Sequence, residues 1–120
     1  CNFQEISEFM SQVPESVGLL LDLGHMNIAS NIMNFDRQTF IDEYLQDFGD
    51  RLMEVHISEN NGINDEHLPI NKESWQLDVL KQLIQCPLPN YRDRVFCVEA
   101  RKASFTELKE SVRLVNECIL

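Results

Sequence analysis

The sequence predicts an α/β domain in which three parallel β-strands alternate with helices. Two observations carry the prediction. Three short apolar runs, at residues 17–21, 52–57 and 95–98, stand well apart along the chain, and the first and third show little alternation. Strands buried on both faces of a parallel sheet read in this way, because helices cover both sides. The segments between the runs carry apolar residues at helical spacing, and strict alternation of strand and helix favours right-handed βαβ units.

Taken in order, the first dozen residues place Ile6, Phe9, Met10 and Val13 on one helical face before Pro14. The first strand follows at residues 17–21. A helix is predicted around residues 40–48, where Phe40, Ile41, Tyr44, Leu45 and Phe48 make one stripe. The second strand occupies residues 52–57. Residues 72–86 repeat the helical pattern through Trp75, Val79, Leu80, Leu83 and Ile84, with Asn71 as the cap and Trp75 as a core residue. After the third strand, Ser104-Phe105-Thr106-Glu107 reads as a capping box, in which Ser and Glu satisfy each other's free amides. It opens a stripe of Leu108, Val112, Val115 and Cys118 or Ile119. No linker, low-complexity tract or repeat interrupts the chain, so residues 1–120 are expected to form a single domain. Three strands leave two unpaired edges, and a closed barrel needs eight strands, so more of the sheet is expected beyond these residues.

Composition narrows the partners. Ten Lys and Arg face twenty Asp and Glu, a formal net charge of −10. Binding to a phosphate backbone runs on counterion release by Lys and Arg, so nucleic acid is disfavoured. No apolar run approaches the roughly 18 residues that span a bilayer, so no membrane is expected. The N-terminus lacks the basic flank and apolar stretch of a signal peptide, and it lacks an initiator Met, as in a fragment or a processed product. The cysteines, Cys1, Cys86, Cys97 and Cys118, form no CxxC pair, and most sit among apolar neighbours. A reduced, cytoplasmic protein is the expectation.

Sites in α/β folds form at the C-terminal ends of the parallel strands. Each predicted strand ends near a residue able to bind metal: Asp22 after the first, His56 in the second, Glu99 after the third. Singly, each has a bland role as a helix cap, a satisfied histidine or an ion-pair partner of Arg101 or Lys102. Together they offer one rim a mixed oxygen and nitrogen set suited to a divalent ion. Glu54 alternates with His56 and would face the same side. Asp42, Glu43 and Asp47 read as a solvated helix face. No Gly-rich phosphate loop or Ser/His/Asp pattern occurs.

The local context is similar to a known family. Leu21-Asp22-Leu23-Gly24-His25-Met26-Asn27-Ile28 resembles the LD-x-x-HMNI segment of the D-tagatose/D-psicose 3-epimerases. His56-Ile57-Ser58-Glu59-Asn60-Asn61 resembles their H-x-x-E-x-N segment, and Val98-Glu99 stands where they have a last-strand Glu. These enzymes belong to the xylose isomerase-like barrels, with inositol-catabolism isomerases and the endonuclease IV fold. Spanning about residues 19–120, the resemblance implies the C-terminal half of a TIM (β/α)8 barrel, with the N-terminal half absent. It implies that Asp22, His56 and Glu99 are three of four ligands to Mn, Co or Mg, the fourth being a Glu on a strand ending before Cys1. It implies substrate-binding roles for His25 and Glu59, and a share of the acid/base work for Glu99. The implied activity is isomerisation or epimerisation of a small ketose or polyol derivative by proton transfer through an enediolate. Gly62 stands where the epimerases hold substrate with an Arg, which leaves the particular sugar open.

The loop Asn64-Asp65-Glu66-His67-Leu68-Pro69-Ile70 supports a rival. In endonuclease IV-like enzymes a D-x-H after the strand histidine helps to hold a zinc cluster for phosphodiester cleavage. The matching residues here are Asp22, His25, His56, Asp65, His67 and Glu99. Asn71-Lys72-Glu73 replaces the G-x-G that usually follows H-L-P-I, and Asp65 and His67 could instead only brace the loop. A third alternative is an inactive half-barrel that pairs with a missing N-terminal half or with a second copy.

Overall fold

Local capping chemistry starts most of the helices in the computed structural model, which describes residues 2–85 and 93–120. Asn2 and Glu5 form a reciprocal capping box for α1 (Phe3–Met10). Strand β1 (Leu19–Asp22) runs without a loop into α2 (Leu23–Met33), because Asp22 accepts from the His25 amide and becomes the helix N-cap. Helix α2 ends at Asn34, whose φ of 54° is the left-handed cap conformation. Asp36 then caps α3 (Arg37–Phe48), and a turn of 3-10 helix, Gly49–Arg51, leads into β2 (Leu52–Ile57). Helix α4 (Gln76–Gln85), strand β3 (Val95–Val98) and α5 (Phe105–Ile119) complete the order. The Ser104–Glu107 capping box opens α5 as its sequence predicts.

The chain is thus an α/β domain with three parallel strands alternating with helices, in the spatial order β1-β2-β3. The register pairs Asp22 with His56 and His56 with Cys97, so one level of the sheet carries all three. Glu99 extends the ladder past β3 by donating its amide to the Ile57 carbonyl at 3.0 Å. The core forms where sheet residues Leu21, Leu52, Val55 and Ile57 meet the apolar faces of α2, α3, α4 and α5. Buried Arg94 ties the base of β2 to its surroundings, donating to the carbonyls of Leu52, Gly49 and Leu83. Among the described residues, no helix is long and apolar enough to cross a membrane.

Four sequence expectations are corrected. Two helices, not one, lie between the first two strands. Helix α2 buries Gly24, Asn27 and Ser30 beside Leu23 and Met26, so it shows no clean apolar stripe. The first strand starts at Leu19, because the Arg51 guanidinium occupies the Val17 carbonyl at 2.7 and 3.0 Å. Helix α4 starts at Gln76, because Asn71 closes a local turn instead: its side chain accepts from the Glu73 amide while Ser74 Oγ accepts from its own. On α5, Val115 is buried and Cys118 and Ile119 pack against the core as expected, but Ser111 and Leu114 complete the buried face and Val112 points outward. Trp75 is half-buried against the core, with the Arg37 guanidinium 4.3 Å above its ring. Cys1 and Cys86, the last residue of the predicted 72–86 helix, lie outside the described residues.

Candidate metal centre

Parallel strands deliver their C-terminal residues to one rim, and here that rim collects all three histidines of the chain. Asp22 uses Oδ1 to cap α2, which leaves Oδ2 2.7 Å from His25 Nδ1. His25 Nε2 lies 3.3 Å from Asp65 Oδ1, and that oxygen lies 2.9 Å from His67 Nε2. His67 Nδ1 is 3.6 Å from Glu99 Oε2, and the same oxygen is 3.4 Å from His56 Nδ1. His56 Nδ1 closes the circle at 3.8 Å from Asp22 Oδ2. Imidazole and carboxylate therefore alternate around a ring of six residues drawn from three strand ends, the first turn of α2 and one loop.

Two sets of three donors stand within the ring and beside it. Donor atoms of His25, Asp65 and His67 lie within 4.8 Å of one another, and so do those of His56, Cys97 and Glu99. Asp22 joins the two sets, touching His25 on one side and His56 on the other. The donor chemistry fits a divalent ion: imidazoles with carboxylates suit Mn, Co and Zn, and the carboxylates suit Mg.

The surroundings hold the donors in place. Glu54, two residues before His56 on the same face of β2, accepts from His56 Nε2 at 2.8 Å and aims Nδ1 at the rim. His67 is buried and has a φ of 50°, a left-handed conformation that costs a non-glycine residue about 1–3 kcal/mol. A two-stranded bridge stabilises it: the Glu59 amide donates to the Leu68 carbonyl at 2.9 Å and the Leu68 amide to the Glu59 carbonyl at 2.8 Å. The backbone of Glu59 thus shapes the loop, while its carboxylate stays outside the ring.

Sequence reasoning assigned no role to the asparagines that join α2 to this loop. Asn60 Oδ1 accepts from Asn27 Nδ2 at 2.8 Å and from the Gly62 amide at 2.9 Å, and Asn60 Nδ2 donates to the Gly24 carbonyl. Asn31 donates to the Gly62 carbonyl, and Arg37 to Asn27 Oδ1. Gly62 has a φ of 77°, and a Cβ there would lie 2.1 Å from Asn31 Nδ2. An Arg at this position, as in the epimerases, would have to displace that contact. The repeated Asn in the two motifs was the available signal.

The electrostatics follow from the alternation. Desolvation pulls the His25 pKa down, but the charge and hydrogen bond of Asp22, joined by those of Asp65, outweigh it, so the pKa is raised. Desolvation likewise opposes ionisation of Asp65, and the hydrogen bond and charge of His67, helped by His25, hold its carboxyl below the usual range. Desolvation pushes the Cys97 thiol up, and Glu99 and Glu54 add to it.

Comparison with known proteins adds little chemistry. No family model matches the chain, and no solved structure matches it. It is similar to a protein of Methanocaldococcus jannaschii named uncharacterized protein MJ1311, with 33% identity over 112 residues. The alignment takes in 86% of this chain and 34% of the relative, so the chain spans about a third of the length of that protein.

Proposed function

We propose that the ring is the C-terminal half of a divalent-metal site in a xylose isomerase-like TIM barrel. The complete protein would isomerise or epimerise a small ketose or polyol derivative. The observation that carries this reading is the arrival of Asp22, His56 and Glu99 at one rim, with His56 Nδ1 3.8 Å from Asp22 and 3.4 Å from Glu99. Length agrees with it: a barrel of eight units, of which this chain supplies three, is somewhat under three times as long, and the alignment takes in 34% of the relative.

The residues divide the work. Asp22, His56 and Glu99 would hold Mn, Co or Mg, and a bound ion would polarise a substrate carbonyl and acidify the neighbouring C–H. The Glu99 side chain is 31% exposed, accessible enough to take up or return a proton beside substrate. His25, more than half exposed, would donate to a sugar oxygen. Asp22 serves both as helix cap and as ligand, so the local fold and the site share one residue. Glu59 would act through the loop it closes.

The test is solvent exchange. With Mn²⁺ or Co²⁺ and a panel of ketoses in deuterated water, the full-length protein should place deuterium on the carbon next to the carbonyl. No exchange with any member would overturn the isomerase reading.

A second reading has its own support. The His25, Asp65 and His67 donors form a separate three-ligand set, as a multi-zinc phosphodiesterase of the endonuclease IV type requires. Two or three zinc ions per full-length chain, with cleavage of a phosphodiester, would favour it over the isomerase. The net charge of −10 weighs against nucleic acid as the substrate. A full-length protein that binds no metal would leave a half-barrel with a structural or partner-binding role.

A further inference from the structure

Strand β3 brings a sulfur to the rim. Cys97 and Glu99 are two residues apart on an extended segment, so their side chains leave the sheet on the same face. The register sets Cys97 directly beside His56 on β2. Its Sγ, a ring nitrogen of His56 and a carboxylate oxygen of Glu99 lie within 4.8 Å of one another, and all three residues are partly buried. Three different donor types from two adjacent strands therefore surround one point. A cysteine serving only as a small core hydrophobe has apolar neighbours. This one has an imidazole and a carboxylate.

We propose that Cys97 is a metal donor alongside His56 and Glu99, and that it makes the site prefer a borderline-soft ion, Co²⁺ or Zn²⁺, over Mg²⁺. The inference rests on the metal-site reading above and deepens it by naming the ion class. A thiolate selects softer ions, whereas Mg²⁺ demands oxygen ligands and sheds its water reluctantly. On binding, the thiol gives its proton to solvent and the sulfur supplies the electron pair, with no change of oxidation state.

Cobalt reports the donor directly. Anaerobic titration of the protein with Co²⁺ under reducing conditions should produce visible d–d absorption together with a near-ultraviolet thiolate-to-cobalt charge-transfer band. Cys97→Ser should remove the band, keep d–d absorption at higher cobalt, and reduce the preference for cobalt over magnesium. Loss of a supporting contact at a metal site costs about 10–100-fold in affinity, and loss of a donor should cost at least the lower figure. Cys97→Ala should behave in the same way, and Cys118→Ser should keep the band, which excludes a general effect of removing a thiol. Cobalt bound with d–d absorption but no charge-transfer band, or a band that survives Cys97→Ser, would overturn the role of Cys97 and leave the metal site standing. No bound cobalt at all would overturn both.

Discussion

Glu54 and Gly24 act on the centre without belonging to the ring. Glu54 holds His56 Nε2 at 2.8 Å, which fixes both the tautomer and the direction of Nδ1. Glu54→Ala should therefore weaken divalent-metal binding by about 10–100-fold, read by isothermal titration, with the far-ultraviolet circular dichroism unchanged. Unaltered affinity would reduce the contact to a surface pairing. Gly24 lies where α2 passes the Ser58 backbone: a Cβ would stand 2.6 Å from Ser58 Oγ and 3.1 Å from its carbonyl oxygen. Gly24→Ala should destabilise the fold by about 1–3 kcal/mol in a urea titration, as overpacking does, and should loosen the Asn60–Gly24 contact beside the site. At this scale the sequence was informative where chemistry follows strand position. Asp22, His56 and Glu99 could be placed on one rim because parallel strands end together. Cys97 could not, because its neighbour depends on register, which apolar patterning does not specify between two strands buried on both faces. Glu59 drew notice for its carboxylate, while its backbone pairing with Leu68 is a loop contact that the motif did not announce.

Helices in this chain are started by side chains that titrate, so acid should loosen them in a defined direction. The hydroxyl and amide of Ser104 hold the Glu107 carboxyl below its usual range, and the amide and hydroxyl of Thr39 do the same for Asp36. A carboxylate with a lowered folded pKa contributes stability that is present above the unfolded value and lost as pH falls through the folded one. The unfolded values are 4.5 for Glu107 and 3.8 for Asp36. The melting temperature should therefore begin to fall below about pH 4.5 and keep falling with further acid. Ser104→Ala should lower stability at neutral pH by about 0.5–2 kcal/mol, and its acid limb should be shallower because Glu107 keeps only the amide. A parallel pair of curves would show that the α5 cap does not contribute to the acid limb. Capping chemistry is also what made α5 legible. Helix α2 was not, because its cap is also a site residue and its buried side includes Asn27 and Ser30.

As a whole molecule, the chain exposes surfaces that a closed sheet would cover. Strands β1 and β3 each pair only with β2 among the described residues, and Leu20 and Val95 are about half exposed at these edges. Phe105, Val112 and Leu120 add an apolar strip on the outer side of α5, with Phe105 76% exposed. Open strand edges next to apolar surface invite pairing with another chain. The alternation of strands and helices was legible because it is local, but the partner of each edge strand is a long-range property that patterning does not encode. The 120-residue chain alone should therefore self-associate at roughly 100 μM, a concentration at which exposed strand edges and apolar surface drive association. Sedimentation velocity would detect it as a sedimentation coefficient rising with concentration. Val95→Lys places a charge on the β3 edge, and Phe105→Glu does so on the α5 strip, so each should shift the distribution towards monomer. If the first variant acts and the second does not, association runs through the sheet edge. A parent chain that stays monomeric throughout would show that the exposed edges and the α5 strip do not drive association at this concentration.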